Sequence, residues 1–298
     1  MTTTTVPSSP PAGRTRPAGA ARRPNRRRTG TTIIKYTLVT LLAVGYLVPI
    51  YWILMTSFKS RTEAYEIPPR IFVAPDWTNY AAYFSQSRVV SFLTNSLIIT
   101  GTSTLITMVL GVLAAYGLAR LRPSGSRTIS FLFLSTRFVP PISTVVPLFL
   151  GLKALEVFDT RASMIIIYSA MNIPYAVWMM HGFFQDLPVE VEEAAWVDGC
   201  SRLVALWRVV LPMSSGGLAA TSVLVGMFAW NEFLYALMLT SREANTLPLS
   251  MTAFLGEQGT DWGGMAAAGT VIMIPALIFS IFVQKQMARG LSFGAVKG

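Results

Sequence analysis

The chain has 298 residues, 52% of them hydrophobic and only 13% charged, with a formal net charge of +10. Soluble domains carry about 25% charged residues, so this composition excludes an ordinary water-soluble globule and points to an integral membrane protein. A single cysteine, Cys200, excludes an internal disulfide or a cysteine-built metal cluster, and a single histidine, His181, leaves no multi-histidine site; no metal or other cofactor is expected.

Residues 1–30 are rich in Thr, Pro, Ala and Arg, with Arg14, Arg16, Arg22, Arg23, Arg26, Arg27 and Arg28 and no acid. So little apolar surface cannot offset the entropy of ordering, which predicts a disordered cytoplasmic tail, dispensable for folding. A bare arginine run of this kind serves as a topology signal or meets anionic lipid headgroups, and no nucleic-acid partner is expected.

Residues 31–298 form the membrane domain. Runs without charge cover 36–58, 89–119, 162–185, 209–231 and 262–284, and a further run, 128–152, is interrupted only by Arg137. Each reaches the roughly 20 apolar residues that cross the hydrocarbon core, where the backbone must bond to itself. The expected fold is therefore all-α integral membrane, with six transmembrane helices near 33–56, 89–118, 128–151, 163–184, 214–239 and 263–284. The first run is too long for a signal-peptide core and has no small-x-small cleavage site, so it is expected to stay uncleaved. With the N-terminus inside, the inner segments hold 16 Lys and Arg and the outer ones 7, which predicts both termini in the cytoplasm.

Gly111, Ala115 and Ala119 stand four apart, a small-residue face that lets another backbone come close, and 264–269 gives the last span a similar surface. Pro49, Pro140, Pro141, Pro147, Pro174 and Pro275 interrupt spans. Such breaks are packing irregularities or line a pathway.

The longest inner connection is 186–212. Asp186 and Pro188 suit a helix start, and Glu190, Glu192 and Glu193 suit its positive end. Val191, Ala194 and Ala195 then give a flat, small face. Gly199 suits a left-handed stop, Ser201 caps a second helix bearing Leu203, Leu206, Trp207 and Val210, and Pro212 ends it. A helix-turn-helix outside the hydrocarbon implies a docked partner.

Glu193-Ala194-Ala195, then Gly199, Val209 and Leu211-Pro212, resembles the EAA loop of binding-protein-dependent ABC importer permeases, with Val209 where that pattern has Ile. Trp230-Asn231-Glu232-Phe233-Leu234, Thr246-Leu247-Pro248-Leu249 and the segment Gly290–Gly298 resemble the sugar-transporting branch, in particular the smaller membrane subunit of maltose-type transporters. The resemblance implies a cytoplasmic coupling helix between spans four and five. It also implies a second homologous permease subunit, two ATPase subunits and an extracytoplasmic solute-binding protein. It assigns ATPase coupling to Glu193, Ala194, Ala195, Asp198, Gly199, Leu211 and Pro212, and to Lys297 and Gly298. The outer loop 57–88, with Pro68, Pro69, Pro75, Trp77 and Tyr80, is similar to the region that meets the binding protein or the second subunit. The sequence has no G-x-x-x-x-G-K-[ST], so ATP is expected to be handled by a partner and no catalytic residue is assigned.

Arg137 and Glu232 are the charges expected deep within spans, where charge is costly. They flank the substrate pathway, or each snorkels or pairs structurally. Asn172, Tyr175, Trp178, Trp230 and Asn231 offer hydrogen-bonding groups and aromatic faces to a sugar or polyol, although aromatic residues near span ends also serve as interfacial anchors. His181 and Cys200 carry no assigned role. A competing class is a self-contained, ion-coupled secondary carrier working through Glu232 and Arg137; the docking loop and the lack of an inverted repeat stand against it. A membrane enzyme lacks any catalytic constellation.

Overall fold

The computed structural model describes residues 26–257 and 259–294, with side chains described for 34–126, 128–257 and 259–281. Helix α1 (Arg26–Ser57) runs through Pro49 without a break. It starts within the arginine-rich segment, before the expected boundary at residue 30; the rest of that tail lies outside the described residues. By its contacts the chain divides at Ile50. From Ile34 to Val48 the large apolar side chains of α1 are exposed, Tyr46 at 79% and Leu41 at 64%. A helix this long and this apolar on its open faces is solvated by lipid rather than water.

The second unit starts at Tyr51. Two short helices, α2 (Arg61–Ala64) and α3 (Thr78–Ser85), follow α1. The Ser60 hydroxyl accepts the Glu63 N–H while the Glu63 carboxylate accepts the Ser60 N–H, so each end of the box satisfies a donor left over by the helix start. The Asn79 amide donates to the Ser57 and Lys59 carbonyls at 2.9 and 2.8 Å, tying α3 back to the end of α1.

Helix α4 (Val89–Tyr116) passes into a π-helical turn, Gly117–Leu121. Then come α5 (Ser126–Ser135) with a 3-10 turn, Thr136–Phe138, α6 (Pro141–Ala154) and α7 (Arg161–Gln185). Two short helices, α8 (Glu190–Val197) and α9 (Arg202–Ala205), follow; α9 continues through a second π-helical turn, Leu206–Val210, into α10 (Leu211–Met213). After α11 (Ser215–Trp230) and α12 (Leu234–Leu239), a 3-10 segment, Leu247–Phe254, leads to a two-strand hairpin, β1 (Leu255–Gly256) against β2 (Gly259–Thr260), and to the last helix, α13 (Trp262–Gly294).

The fold is all-α and membrane-spanning. Helices over 34–57, 89–121, 161–185 and 262–281 are each long and apolar enough to cross a bilayer. The third and fifth expected spans are not straight rods. Segments 128–138 and 141–154 meet at 90°, because Pro140 and Pro141 cannot continue the helical hydrogen-bond ladder. Segments 202–213 and 215–230 meet at 83°, just after Pro212. The expected fifth span, 214–239, also stops at Trp230, and α12 is a separate helix.

The bundle closes around α4, α7 and α11. A Cβ on Gly111 would stand 2.7 Å from the Ala176 Cβ, so the small face of α4 brings α7 into backbone range. Along the same seam the Thr107 hydroxyl donates to the Ser169 carbonyl and the Ser169 hydroxyl to the Ser103 carbonyl, each at 3.4 Å. Ala267 and Ala268 of α13 are fully buried, and Ala268 shares a cluster with Trp230, whose indole N–H donates to the Ile272 carbonyl at 3.0 Å.

Candidate functional site

The 186–213 segment folds as a helix, a tight turn and a second helix at one end of the bundle. Asp186 does not start α8: it terminates α7, its N–H donating to the Gly182 carbonyl at 3.2 Å, and Val189 precedes α8 without a side-chain cap. The missing cap is offset by Glu190, Glu192 and Glu193 in the first turn, where carboxylates meet the positive end of the helix.

The turn after α8 is a Schellman motif. The Cys200 N–H donates to the Ala195 carbonyl at 2.9 Å and the Gly199 N–H to the Trp196 carbonyl at 3.0 Å, with Gly199 at φ +85°. The Ser201 hydroxyl then accepts the Val204 N–H at 3.4 Å and starts α9. The Arg202 guanidinium lies 4.6 Å over the Trp196 ring and holds the two short helices together.

Both alanines were expected on one face, but the structure separates them. Ala195 is buried, Ala194 is exposed. Glu190, Glu193, Ala194 and Val197 form the outward stripe, at the i, i+3, i+4, i+7 spacing of one helix face, and Val197 is 88% exposed. Asp198 and Pro212 are exposed and Leu211 is buried. Lys297 and Gly298 lie outside the described residues.

The buried face of α8 carries a group that residue patterns did not single out. Glu192 is 1% exposed. Its Oε1 is paired with the Arg120 Nε, and its Oε2 accepts the Tyr116 hydroxyl at 3.0 Å. Arg120 also donates to the Leu187 carbonyl at 3.2 Å. The only sequence signal was spacing, since Glu192 stands three residues before Ala195 and so shares its face.

A second constellation lies at the bend between α5 and α6. The Arg137 guanidinium donates to the Asn172 side-chain oxygen at 3.2 Å and sits 5.6 Å from the Tyr175 ring and 5.3 Å from the Phe228 ring. Phe228 was not anticipated. Arg137 borders a cavity of about 580 Å³ that Thr144, Pro147, Pro174 and Tyr235 also line. Trp178 is 49% exposed, 6.5 Å from Tyr175 between ring centroids.

The other expected pathway residues are not gathered there. Trp230 is 2% exposed and is held by its bond to Ile272, so it is a packing residue. The Asn231 amide turns back to the Met227 carbonyl at 2.9 Å. Glu232 does not reach Arg137. Its carboxylate accepts the Tyr235 and Ala236 N–H groups at the start of α12 and the Tyr168 hydroxyl at 2.9 Å.

A helical membrane bundle that breaks its spans around a cavity and projects an acidic helix-turn-helix from one end has the architecture of a transporter's membrane component. Residues 107–293 match the family described as binding-protein-dependent transport system inner membrane component, and the chain belongs to it: it is a multi-pass ABC transporter permease. Similar proteins include the "Probable ABC transporter permease protein y4oR" of Sinorhizobium fredii, 33% identical over 92% of this chain and 98% of that protein. The "Trehalose transport system permease protein SugB" of Mycobacterium tuberculosis is 35% identical, over 88% of this chain and 97% of its own length. Among solved structures, a chain of a bacterial ABC transporter involved in import of the acidic polysaccharide alginate shares the fold with a TM-score of 0.71. It is 23% identical, and the match covers 89% of this chain and 99% of that one.

Proposed function

We propose that this chain is the transmembrane subunit of an ATP-binding-cassette importer for a carbohydrate, namely a sugar, an oligosaccharide or a polyol. In this reading it sits in the cell membrane with both termini cytoplasmic. ATP is hydrolysed by two separate ATPase subunits, a second homologous permease completes the pathway, and an extracytoplasmic solute-binding protein delivers the substrate. The chain itself is not an enzyme.

The observation that carries the reading is the outward stripe of α8. Glu190, Glu193, Ala194 and Val197 combine charge, a small surface and an exposed valine on a helix clamped from behind, which suits docking into a groove on a partner. Within this reading Ala195 and Leu211 support the coupling helix from inside, and Glu193, Ala194, Asp198, Gly199 and Pro212 face the ATPase. The carbohydrate assignment rests on relatives whose names specify trehalose or sulfoquinovosyl glycerol. Arg137 lines the cavity, where its guanidinium offers the hydrogen-bond donors a sugar needs, and Asn172 and the Tyr175 ring contact that guanidinium. Against the ion-coupled carrier stands the docking loop; Arg137 and Glu232, through which it would work, bond separately, to Asn172 and Tyr168.

The test is purification of the tagged chain from its native membrane in mild detergent, followed by assay of co-purifying ATPase activity and of sugar uptake in liposomes. The reading expects an ATPase to accompany the chain and uptake to require ATP. A chain that purifies alone and transports on an ion gradient would overturn it.

A further inference from the structure

We propose that the buried Arg120–Glu192 pair, with Tyr116, is a positioning clasp that fixes α8 to the end of α4, so that a displacement of α8 is delivered to α4 directly. The proposal rests on the reading of α8 as the ATPase-docking helix.

Helix α8 is eight residues long and hangs between two short joints, 186–189 towards α7 and the Gly199 turn towards α9. The chain therefore couples it to α7 and α11. No covalent connection links it to α4: Arg120 and Glu192 stand 72 residues apart. The apolar cluster that holds Tyr116 and Ala119 takes in Phe184 and Leu206 on either side of α8, with Leu187 packed against it. Such contacts are non-directional and let surfaces slide.

The polar contacts are different in kind. Both Glu192 oxygens are engaged from α4 and its π-helical end, one by Arg120 and the other by Tyr116 one turn earlier. The same guanidinium holds the Leu187 carbonyl, in the joint that leads into α8. One planar fork thus fixes the helix and its hinge together. The side chains of the pair are 3% and 2% exposed, where an ion pair recovers little of its desolvation cost. An apolar pair would fill that space as well, so the gain from charge here is fixed geometry. The π-helical turn over Gly117–Leu121 belongs to the same device, because the wider turn resets the direction in which Arg120 projects from α4.

The test uses the assembled transporter in lipid nanodiscs or liposomes and reads three quantities: Tm, co-purifying ATPase, and substrate moved per ATP hydrolysed. The apolar replacement Arg120→Met/Glu192→Leu is expected to keep the associated ATPase, with Tm lowered by a few degrees because the Tyr116 hydroxyl and Leu187 carbonyl each lose a partner, while transport per ATP falls about tenfold. Should that variant fail to assemble, Arg120→Lys decides the matter. It keeps the charge but not the fork, and is expected to lose about threefold in the same ratio at wild-type Tm. A wild-type ratio in an assembled apolar variant, or in Arg120→Lys, would overturn the clasp while leaving the transporter reading intact. Absence of any ATPase from the wild-type preparation would overturn both.

Discussion

Gly111 of α4 faces Ala176 of α7 so closely that a Cβ at position 111 would come within 2.7 Å of the Ala176 Cβ and 3.5 Å of its carbonyl carbon. The obstacle is the root of a buried, rigid helix rather than the tip of a flexible side chain. Any larger residue must push α4 and α7 apart along the seam that also carries the Thr107–Ser169 and Ser169–Ser103 hydrogen bonds. Gly111→Leu is therefore expected to cost about 1–3 kcal/mol through overpacking. Thermal denaturation in detergent checks this. Gly101, whose Cβ would meet nothing within 4 Å, serves as the control and is expected to tolerate alanine with little change.

At the other end of α7, Asp159 organises a loop from a distance. Its carboxylate accepts the N–H groups of Ser241, Arg242, Glu243 and Ala244 at 2.8–3.2 Å. Burial pushes the carboxyl pKa up, but the four backbone donors together outweigh it and hold the group below the usual carboxylate range. A depressed folded pKa contributes stability that is present above the unfolded value, about pH 4, and is lost as pH falls through the folded one. Asp159→Asn keeps the left-handed backbone, φ +60°, but has only one strong acceptor. It is expected to lower Tm by a few degrees near neutral pH. The gap from wild type should start to narrow as the pH falls below the unfolded value of about 4, and close only once the pH has passed through the lower folded pKa. A gap independent of pH would show that the charge is not what holds the loop.

Glu232 is a structural acceptor, and its neutral analogue separates that role from one in charge movement. Glu232→Gln retains a carbonyl oxygen for the Tyr235 and Ala236 N–H groups, so it is expected to assemble and transport like wild type. Glu232→Ala leaves those donors and the Tyr168 hydroxyl without their acceptor and is expected to cost about 1 kcal/mol, the scale of a lost helix cap. Uptake assays alongside Tm measurements check both. A Gln variant that folds normally yet abolishes uptake would assign the charge itself to transport.

The membrane class was legible because lipid imposes one rule on every span: long apolar stretches without charge. The EAA pattern was legible because the turn needs a glycine at one fixed offset from α8, and Gly199 is found at φ +85°. The bends were visible only as prolines. Pro49, Pro147 and Pro174 stand singly inside continuous helices while the adjacent Pro140 and Pro141 turn the chain by 90°, so a proline alone did not mark a bend and the tandem pair did. Burial of individual polar residues was the least legible. Only its spacing from Ala195 distinguishes Glu192 from Glu190 and Glu193, and its partner Arg120 stands 72 residues away in the sequence. Arg137 and Glu232 stood out as charges within expected spans, yet each is satisfied by a different set of uncharged partners.

The Gly199 turn allows strain to be tested apart from steric blockage. A Cβ added at Gly199 would meet nothing within 4 Å, so the cost of substitution lies in the left-handed backbone alone, about 1–2 kcal/mol for an ordinary residue. Asparagine visits that conformation far more readily than a β-branched residue does. If the turn sets the angle between α8 and α9, Gly199→Asn should keep most of the transport per ATP. Gly199→Val should fold, retain Trp196 against Arg202, and lose coupling as the turn relaxes out of φ +85°. Measuring uptake and ATP hydrolysis on the two variants in parallel checks the ordering. Equal loss in both would place the requirement in the open space beside Gly199, where a docking partner's surface would fit, rather than in the backbone.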